Sequence, residues 1–167
     1  ATGHWQNDRF PEIEDIASQA IAGLSVHQTS EHWKYSNMGY TMLGEVIARA
    51  SNTSYEAAVA DLVLKPMGLV QTTPDYVEAD SASHAAGYGL LYPGREREVF
   101  EHVHAHAMNS ATGFSSNVRD LLRFYSFHMR GNQAVLTDRS KRDMQRIQFE
   151  DGPYTWGLGF SIDDSGP

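Results

Sequence analysis

The sequence predicts an α+β fold that is predominantly helical, with little sheet of its own, in a single domain over residues 1–167. Five segments carry apolar residues at helical spacing between recognisable start and stop signals. Residues 71–110 instead contain scattered prolines and glycines with short alternating runs, which are typical of small strands and loops. One longer run, residues 154–162 (Tyr-Thr-Trp-Gly-Leu-Gly-Phe-Ser-Ile), is predicted to be a strand.

The first two helices are predicted from their termini. Pro11 and the acidic residues after it favour a helix start, and Gly23 is a stop signal. The second helix is predicted over residues 37–50, and Ser-Asn-Thr at residues 51–53 ends it. Its apolar stripe consists of Leu43, Val46, Ile47 and Ala50.

The remaining helices follow capping residues. Thr53 or Ser54 caps a helix over residues 55–64, and Lys-Pro-Met-Gly after it should end that helix because proline cannot continue it. Residues 115–117 (Ser-Ser-Asn) form a capping cluster before the next helix.

That fourth helix is predicted from Val118, with Gly131 closing it at the C′ position. Thr137 and Asp138 then cap a last helix that runs to about Ile147.

Composition and charge exclude several classes of function. The chain has 13 basic and 21 acidic residues, a net charge of −8, and only three lysines. Because binding to nucleic acid or anionic lipid needs clustered cations, we expect no nucleic-acid partner. No run approaches the roughly 18 apolar residues of a membrane span. The absence of cysteine excludes disulfides, thiol nucleophiles and zinc–thiolate sites.

Four motifs follow one another along the chain. They are residues 33–37 (Trp-Lys-Tyr-Ser-Asn) with the glycines after them, 66–69 (Pro-Met-Gly-Leu) with Thr72 or Thr73 close behind, 111–121 (Ala-Thr-Gly-Phe-Ser-Ser-Asn-Val-Arg-Asp-Leu) and 156–160 (Trp-Gly-Leu-Gly-Phe). Tyr-x-Asn alone is common by chance. In this order and spacing, the four together resemble the class C β-lactamase and esterase branch of the serine β-lactamase and penicillin-binding-protein-like hydrolases.

The resemblance implies a fold and a mechanism. The family fold packs a helical lobe beside an antiparallel sheet flanked by helices, and this chain is similar to the helical lobe with its connecting segments. Acyl transfer in the family uses a Ser-x-x-Lys box, the Tyr-x-Asn pair and a Lys-Thr-Gly or His-x-Gly strand. By resemblance, Tyr35 is the catalytic base, and Asn37 is a catalytic and substrate-binding residue that orients the substrate carbonyl and the lysine of the nucleophile box. We also predict that Asn37 caps its helix.

The nucleophile box and the closing strand do not occur in this sequence. No serine or threonine lies three residues before a lysine, and neither Lys-Thr-Gly, Lys-Ser-Gly nor His-x-Gly is present. We expect these motifs before Ala1 and after Pro167, because the turn-like ends suggest an excised segment; natural termini of a processed protein are the alternative.

The missing motifs also bear on the chemistry of Tyr35. A tyrosine acts as a base near neutral pH only when neighbouring cations stabilise its phenolate. We therefore expect Tyr35 to be a protonated phenol and the chain alone to be inactive. Taken by themselves, residues 35–37 favour a capped helix beside a packed tyrosine, and the other three motifs favour an inherited site.

A histidine run is the competing signal. On a strand, His102, His104 and His106 would share one face and could bind zinc or nickel. The polar face of an edge strand or loop is the favoured interpretation, so we predict no metal site and no cofactor. Residues 87–89 (Gly-Tyr-Gly) lack the context of a phosphate-binding loop.

Three hypotheses for function follow. The first is a fragment of a serine hydrolase that acts, in its full-length form, on a small-molecule or peptide substrate: a β-lactam, a D-amino-acid peptide or an ester. The second is a non-catalytic module whose groove holds a peptide or peptidoglycan-like ligand, and the third is a metal-binding domain built on the histidine run. The resemblance implies a periplasmic or exported protein. Because a lobe without its sheet exposes apolar surface, we expect self-association as a dimer or higher oligomer.

Overall fold

The computed structural model describes residues 9–23, 25 and 27–163, and this part of the chain is mainly helical, as predicted. The α-helices are α1 (Ile13–Ala22), α2 (Asn37–Ser51), α3 (Tyr55–Val59), α4 (Lys65–Met67), α5 (Asn109–Thr112), α6 (Val118–Phe127) and α7 (Asp138–Gln145). The strands are β1 (Gly87–Tyr88), β2 (Val99–Phe100), β3 (Phe149–Asp151) and β4 (Tyr154–Trp156), in two antiparallel pairs. The turn-like ends noted in the sequence, residues 1–3 and 164–167, lie outside the described residues. Of the described helices, none combines the length and apolar character needed to cross a bilayer.

Capping side chains begin three helices where the sequence predicts them. In each case a side-chain oxygen accepts a hydrogen bond from the backbone N–H three residues further on. The distances are 3.2 Å for Ser54, 2.9 Å for Asn117 and 3.1 Å for Thr137. These bonds satisfy donors that have no partner inside the first helical turn. The predicted stops of the first two helices are also confirmed, since Gly23 is the C-cap of α1, and Asn52 within the predicted Ser-Asn-Thr stop is the C-cap of α2.

The third helix continues further than predicted. α3 passes into one π-helical turn, Ala60–Leu64, and then into α4, whose C-cap is Gly68. The prediction that proline ends this helix after residue 64 is therefore wrong. Pro66 lies inside this continuous helical stretch, directly after the π-helical turn, and without an N–H it donates no hydrogen bond to the preceding turn. At the end of this stretch the Leu64 carbonyl accepts from the backbone N–H of Leu69 at 2.9 Å.

The hydrophobic core is built around this continuous helical stretch. Its buried members are Val59, Leu64, Met67 and Leu69. Phe127 at the end of α6 and Val135 in the following loop pack against them. The core therefore joins the middle of the chain to α6.

Helix α2 contacts the rest of the molecule through small residues. Thr41 is 1% exposed, and a Cβ atom added to Gly44 would lie only 2.3 Å from Ser110 Oγ. Because glycine lacks that atom, α2 can approach α5 closely, and Ser110 Oγ donates to the Tyr40 carbonyl at 3.0 Å. The predicted apolar stripe of α2 lies in solvent; it comprises Leu43, Val46, Ile47 and Ala50.

Residues 71–110 contain only short elements, as predicted. Two 3₁₀ turns, Glu78–Ser83 and His106–Met108, lie on either side of the β1–β2 pair along the chain. In that pair Gly87 faces Phe100 and Tyr88 faces Val99.

The end of α6 differs from the prediction. The helix stops at Phe127 with His128 as its C-cap, and Gly131 lies beyond it in a turn. The prediction that Gly131 closes the helix is therefore wrong. The ammonium group of Lys141, buried on α7, donates to the Met129 carbonyl at 2.7 Å, so α7 satisfies this turn.

The predicted strand over residues 154–162 is also too long. β4 ends at Trp156 and forms a hairpin with β3, in which Phe149 faces Trp156. Gly159 has φ 77°, a left-handed conformation that a strand cannot hold. The chain reverses at that turn, so that Ser161 forms a bridge back to Trp156.

Candidate active site

The segment that carries Tyr35 is attached to the β3–β4 hairpin. The backbone N–H of Trp33 donates to Asp151 Oδ2 at 2.7 Å. The Trp33 indole stacks on Tyr154 and Trp156, with ring centroids 4.4 and 5.5 Å apart. The first and fourth motifs therefore meet in space.

Asp151 and Tyr154 belong to none of the four sequence motifs. Asp151 lies 118 residues after Trp33, so the hydrogen bond forms only when the hairpin docks. A local sequence pattern carries no signal for such a contact. The aromatic character shared by Trp33 and Trp156 is the one hint that the printed sequence offers.

Tyr35 and Asn37 lie on either side of the residue that caps α2. Ser36 has extended backbone angles (φ −148°, ψ 103°), and its Oγ accepts from the backbone N–H of Gly39 at 2.9 Å. The prediction that Asn37 is the cap is therefore wrong by one residue. Asn37 is the first residue of the helix, whereas a capping residue has non-helical backbone angles.

The functional groups of both predicted site residues remain available. The Tyr35 side chain is 69% exposed, so it is not a packed core tyrosine. The half-buried Asn37 side chain forms no hydrogen bond with another described residue. Both residues stand at the N-terminal end of a 15-residue helix, where the helix dipole favours negative charge.

None of the three lysines hydrogen-bonds to Tyr35. Lys34 forms no hydrogen bond or ion pair with any residue in the described part of the chain. Lys65 pairs with Asp61 at 2.5 Å, and Lys141 pairs with Asp138 at 2.8 Å. In this structure, therefore, none of the three lysines forms a direct hydrogen bond with the Tyr35 hydroxyl.

The second and third motifs also meet. Thr73 and Ser115 form an antiparallel bridge through two backbone hydrogen bonds of 2.9 Å. The Asp120 carboxylate, 1% exposed, accepts from the backbone N–H of Gln71 at 2.8 Å and from Thr72 Oγ1 at 3.0 Å. The four motifs thus form two contacting pairs, and each pair joins an early segment of the chain to a late one.

The histidine run is not part of a strand, although the ring centroids of His104 and His106 lie 5.7 Å apart. β2 ends at Phe100, so the run lies outside it. The His102 ring stacks on Tyr76 at 4.8 Å, and the His104 ring meets Tyr76 edge-on at 5.2 Å. A group of histidine and acidic side chains that could hold a metal ion lies elsewhere, before Trp33. Within the described ranges it is the one group of three or more such side chains whose donor atoms lie within 4.8 Å of one another.

Comparisons with known proteins agree with this arrangement. A family model described as Beta-lactamase matches residues 4–166. Beta-lactamase-like protein 2 of Dictyostelium discoideum is 26% identical over 130 residues, which are 77% of this chain and 23% of that protein.

Two solved structures show the same fold. The beta-lactamase/D-alanine carboxypeptidase of Pseudomonas syringae gives a TM-score of 0.74 at 20% identity, covering 95% of this chain and 46% of that one. The D-amino acid amidase of Ochrobactrum anthropi SV3 gives a TM-score of 0.72 at 19% identity, covering 93% of this chain and 48% of that one. The chain thus spans less than half the length of each of these three relatives. Its fold is that of the serine β-lactamase and penicillin-binding-protein-like hydrolases, and the chain belongs to the beta-lactamase family.

Proposed function

We propose that this chain supplies the Tyr-x-Asn side of the active site of a serine hydrolase that carries out acyl transfer. The observation that carries the proposal is the placement of Tyr35 and Asn37: both stand at the open end of α2, on a segment anchored through Trp33. A tyrosine kept for packing would be buried. This one is presented to solvent by a segment whose backbone is held in place.

The proposed reaction needs functional groups of this chain together with functional groups of further residues. A serine hydroxyl is a weak nucleophile and needs a base to remove its proton as it attacks the acyl carbon. In the proposal Tyr35 is that base, and the Asn37 amide donates a hydrogen bond to the substrate carbonyl. The serine, the lysine beside it and the closing strand are contributed by the full-length form, so this chain alone is inactive.

The substrate class follows from the same proposal. A β-lactam, a D-amino-acid peptide and an ester all offer an acyl carbon to a serine nucleophile. The names of the two structural neighbours mention D-alanine and D-amino acids, which favours D-amino-acid peptides or amides among these candidates.

Substitution of Tyr35 in a full-length form that carries all three motifs tests the proposal. Loss of a general base costs about 10²–10⁴-fold in rate. We therefore expect Tyr35→Phe to lower kcat/KM by that factor on a chromogenic cephalosporin and on a D-alanyl-D-alanine peptide. Tyr40→Phe is the matched control, because Tyr40 is also exposed and lies on α2 one turn further along.

The control should retain the parent kcat/KM. A Tyr35→Phe variant that also retained it would contradict the proposed role of Tyr35. Equal losses in both variants would show that a substituted tyrosine near α2 disturbs the fold rather than the chemistry, and would contradict the proposal as well.

A further inference from the structure

The loop before Trp33 brings three exposed metal-binding side chains together. His27, Glu31 and His32 each offer one donor atom, and these atoms lie within 4.8 Å of one another. The imidazole rings of His27 and His32 meet edge-on with centroids 4.7 Å apart. The group lies outside the histidine run at residues 102–106.

A tight turn produces this convergence. The backbone N–H of Glu31 donates to the Gln28 carbonyl at 3.2 Å, and a Glu31 carboxylate oxygen accepts from the Gln28 N–H at 2.9 Å. Ser30 has φ 64°, the left-handed conformation that reverses the chain. The turn brings Glu31 and His32 back to His27, and the Gln28 hydrogen bond orients the carboxylate.

The hairpin adds a carboxylate behind one of the imidazoles. Asp151 Oδ2 lies 3.5 Å from His32 Nδ1 and also accepts from the backbone N–H of Trp33. A carboxylate beside a metal-binding histidine fixes the orientation of its ring and increases its basicity. Asp151 thus lies near enough to His32 Nδ1 to become such a supporting group when the ring binds an ion.

We propose that His27, Glu31 and His32 bind a divalent transition-metal ion, with Zn²⁺ as the ion tested. Two imidazole nitrogens and one carboxylate oxygen are ligands that zinc accepts, and three protein ligands leave a fourth position for water. Calcium and magnesium prefer oxygen ligands, so this donor set disfavours them. Ligand bonds of about 2.0–2.2 Å require the donor atoms to move together slightly, which exposed side chains can do by rotation.

Binding has a structural consequence. The ion would hold the loop in the conformation that faces the hairpin, directly before the segment that carries Tyr35. Because an ion that binds only the folded state stabilises it by mass action, zinc should raise the thermal midpoint of the chain.

The test is calorimetric titration of the untagged 167-residue chain with ZnCl₂. We expect one ion per chain and no measurable binding heat in the His27→Ala/His32→Ala double variant. Asp151→Asn should weaken the affinity by about 10–100-fold, as loss of a supporting carboxylate does. The matched control is His102→Ala/His104→Ala, which removes two other exposed histidines and should bind zinc like the parent chain.

The ligands are exposed, so these substitutions should leave the circular dichroism spectrum unchanged. If the double variant does change it, Glu31→Gln, which keeps the side-chain shape, provides the comparison and should weaken binding. No heat with the parent chain would overturn the proposal. Undiminished binding in both His27→Ala/His32→Ala and Glu31→Gln, or loss confined to the His102→Ala/His104→Ala control, would overturn it equally.

Discussion

At the scale of single residues, the His128 ring is packed among aromatic side chains although its nitrogens need hydrogen-bond partners. Its ring meets Phe124 edge-on at 4.8 Å and Phe160 at 5.2 Å. Both ring nitrogens are buried, and neither has a hydrogen-bond partner in the part of the chain that the structure describes. Burial, and to a smaller degree the charge of Lys141, lowers the pKa of His128 below its ordinary value of 6.5.

We predict that His128→Phe stabilises the chain. Phenylalanine keeps the aromatic contacts and removes two unpaired polar atoms, so the free energy of unfolding should rise by about 1 kcal/mol. Because the pKa of His128 is lower in the folded state, the unfolded chain takes up the proton first as the pH falls below 6.5, and the parent chain loses stability there. The variant should lack this part of the pH dependence. Urea unfolding above and below that pH measures both effects.

The control for this prediction is His102→Phe, which changes an exposed histidine. It should alter neither the stability near neutral pH nor its fall toward acid pH. A His128→Phe chain that unfolds more easily than the parent, or that loses stability with the same pH profile, would show that the ring nitrogens are satisfied.

At the scale of elements, Asp120 connects α6 to the segment after α4. Its buried carboxylate receives hydrogen bonds from Gln71 and Thr72, and Arg123 lies 3.8 Å away. We predict that Asp120→Ala lowers the free energy of unfolding by about 2–3 kcal/mol, since hydrogen bonds to a charged group are lost and a buried donor is left unpaired. Chemical denaturation measures the change.

Asp61→Ala is the matched control. Asp61 is an exposed aspartate, and its pair with Lys65 lies within one helical stretch. Exposed pairs of this kind contribute at most about 1 kcal/mol, so this variant should stay close to the parent. Equal destabilisation of the two variants would mean that Asp120 does not connect the elements as described.

What the sequence predicts at this scale depends on how local the cause is. The caps at Ser54, Asn117 and Thr137 act over three residues, and all three helix starts are confirmed. The prediction that α6 ends at Gly131 is wrong because Lys141, on another helix, donates a hydrogen bond to a carbonyl of the turn that follows α6. The strand predicted over residues 154–162 is too long because the alternating pattern does not reveal that Gly159 has a left-handed backbone conformation.

The candidate site shows the same limit. Tyr35 and Asn37 were chosen from a short motif, and the structure leaves both available at the start of α2. The anchoring of Trp33 by Asp151 depends on tertiary docking, which no local pattern records.

At the scale of the whole molecule, apolar surface is exposed on two helices. On α2 the exposed fractions are 57% for Leu43 and 59% for Val46, and on α6 they are 66% for Leu122 and 63% for Tyr125. Contiguous apolar surface of this kind favours association. We predict that the isolated chain forms dimers or larger oligomers through α2, in a concentration-dependent manner.

Size-exclusion chromatography with light scattering tests this prediction. Leu43→Glu/Val46→Glu should shift the chain toward monomer, because two carboxylates cannot be buried without partners. The control, Leu90→Glu/Leu91→Glu, places the same charges at two exposed leucines outside the helices and should leave the oligomer intact. A parent chain that is monomeric at high concentration would contradict the prediction.

The proposed division of the active site gives these 167 residues Tyr35 and Asn37 and leaves the Ser-x-x-Lys nucleophile outside them. Covalent labelling with a fluorescent penicillin, read on a denaturing gel, tests it most directly. An intact class C β-lactamase run alongside shows that the reagent is reactive. The account predicts no labelled band for this chain at any time of incubation. A band that survives denaturation would contradict it, because such a band requires a nucleophilic residue within the chain.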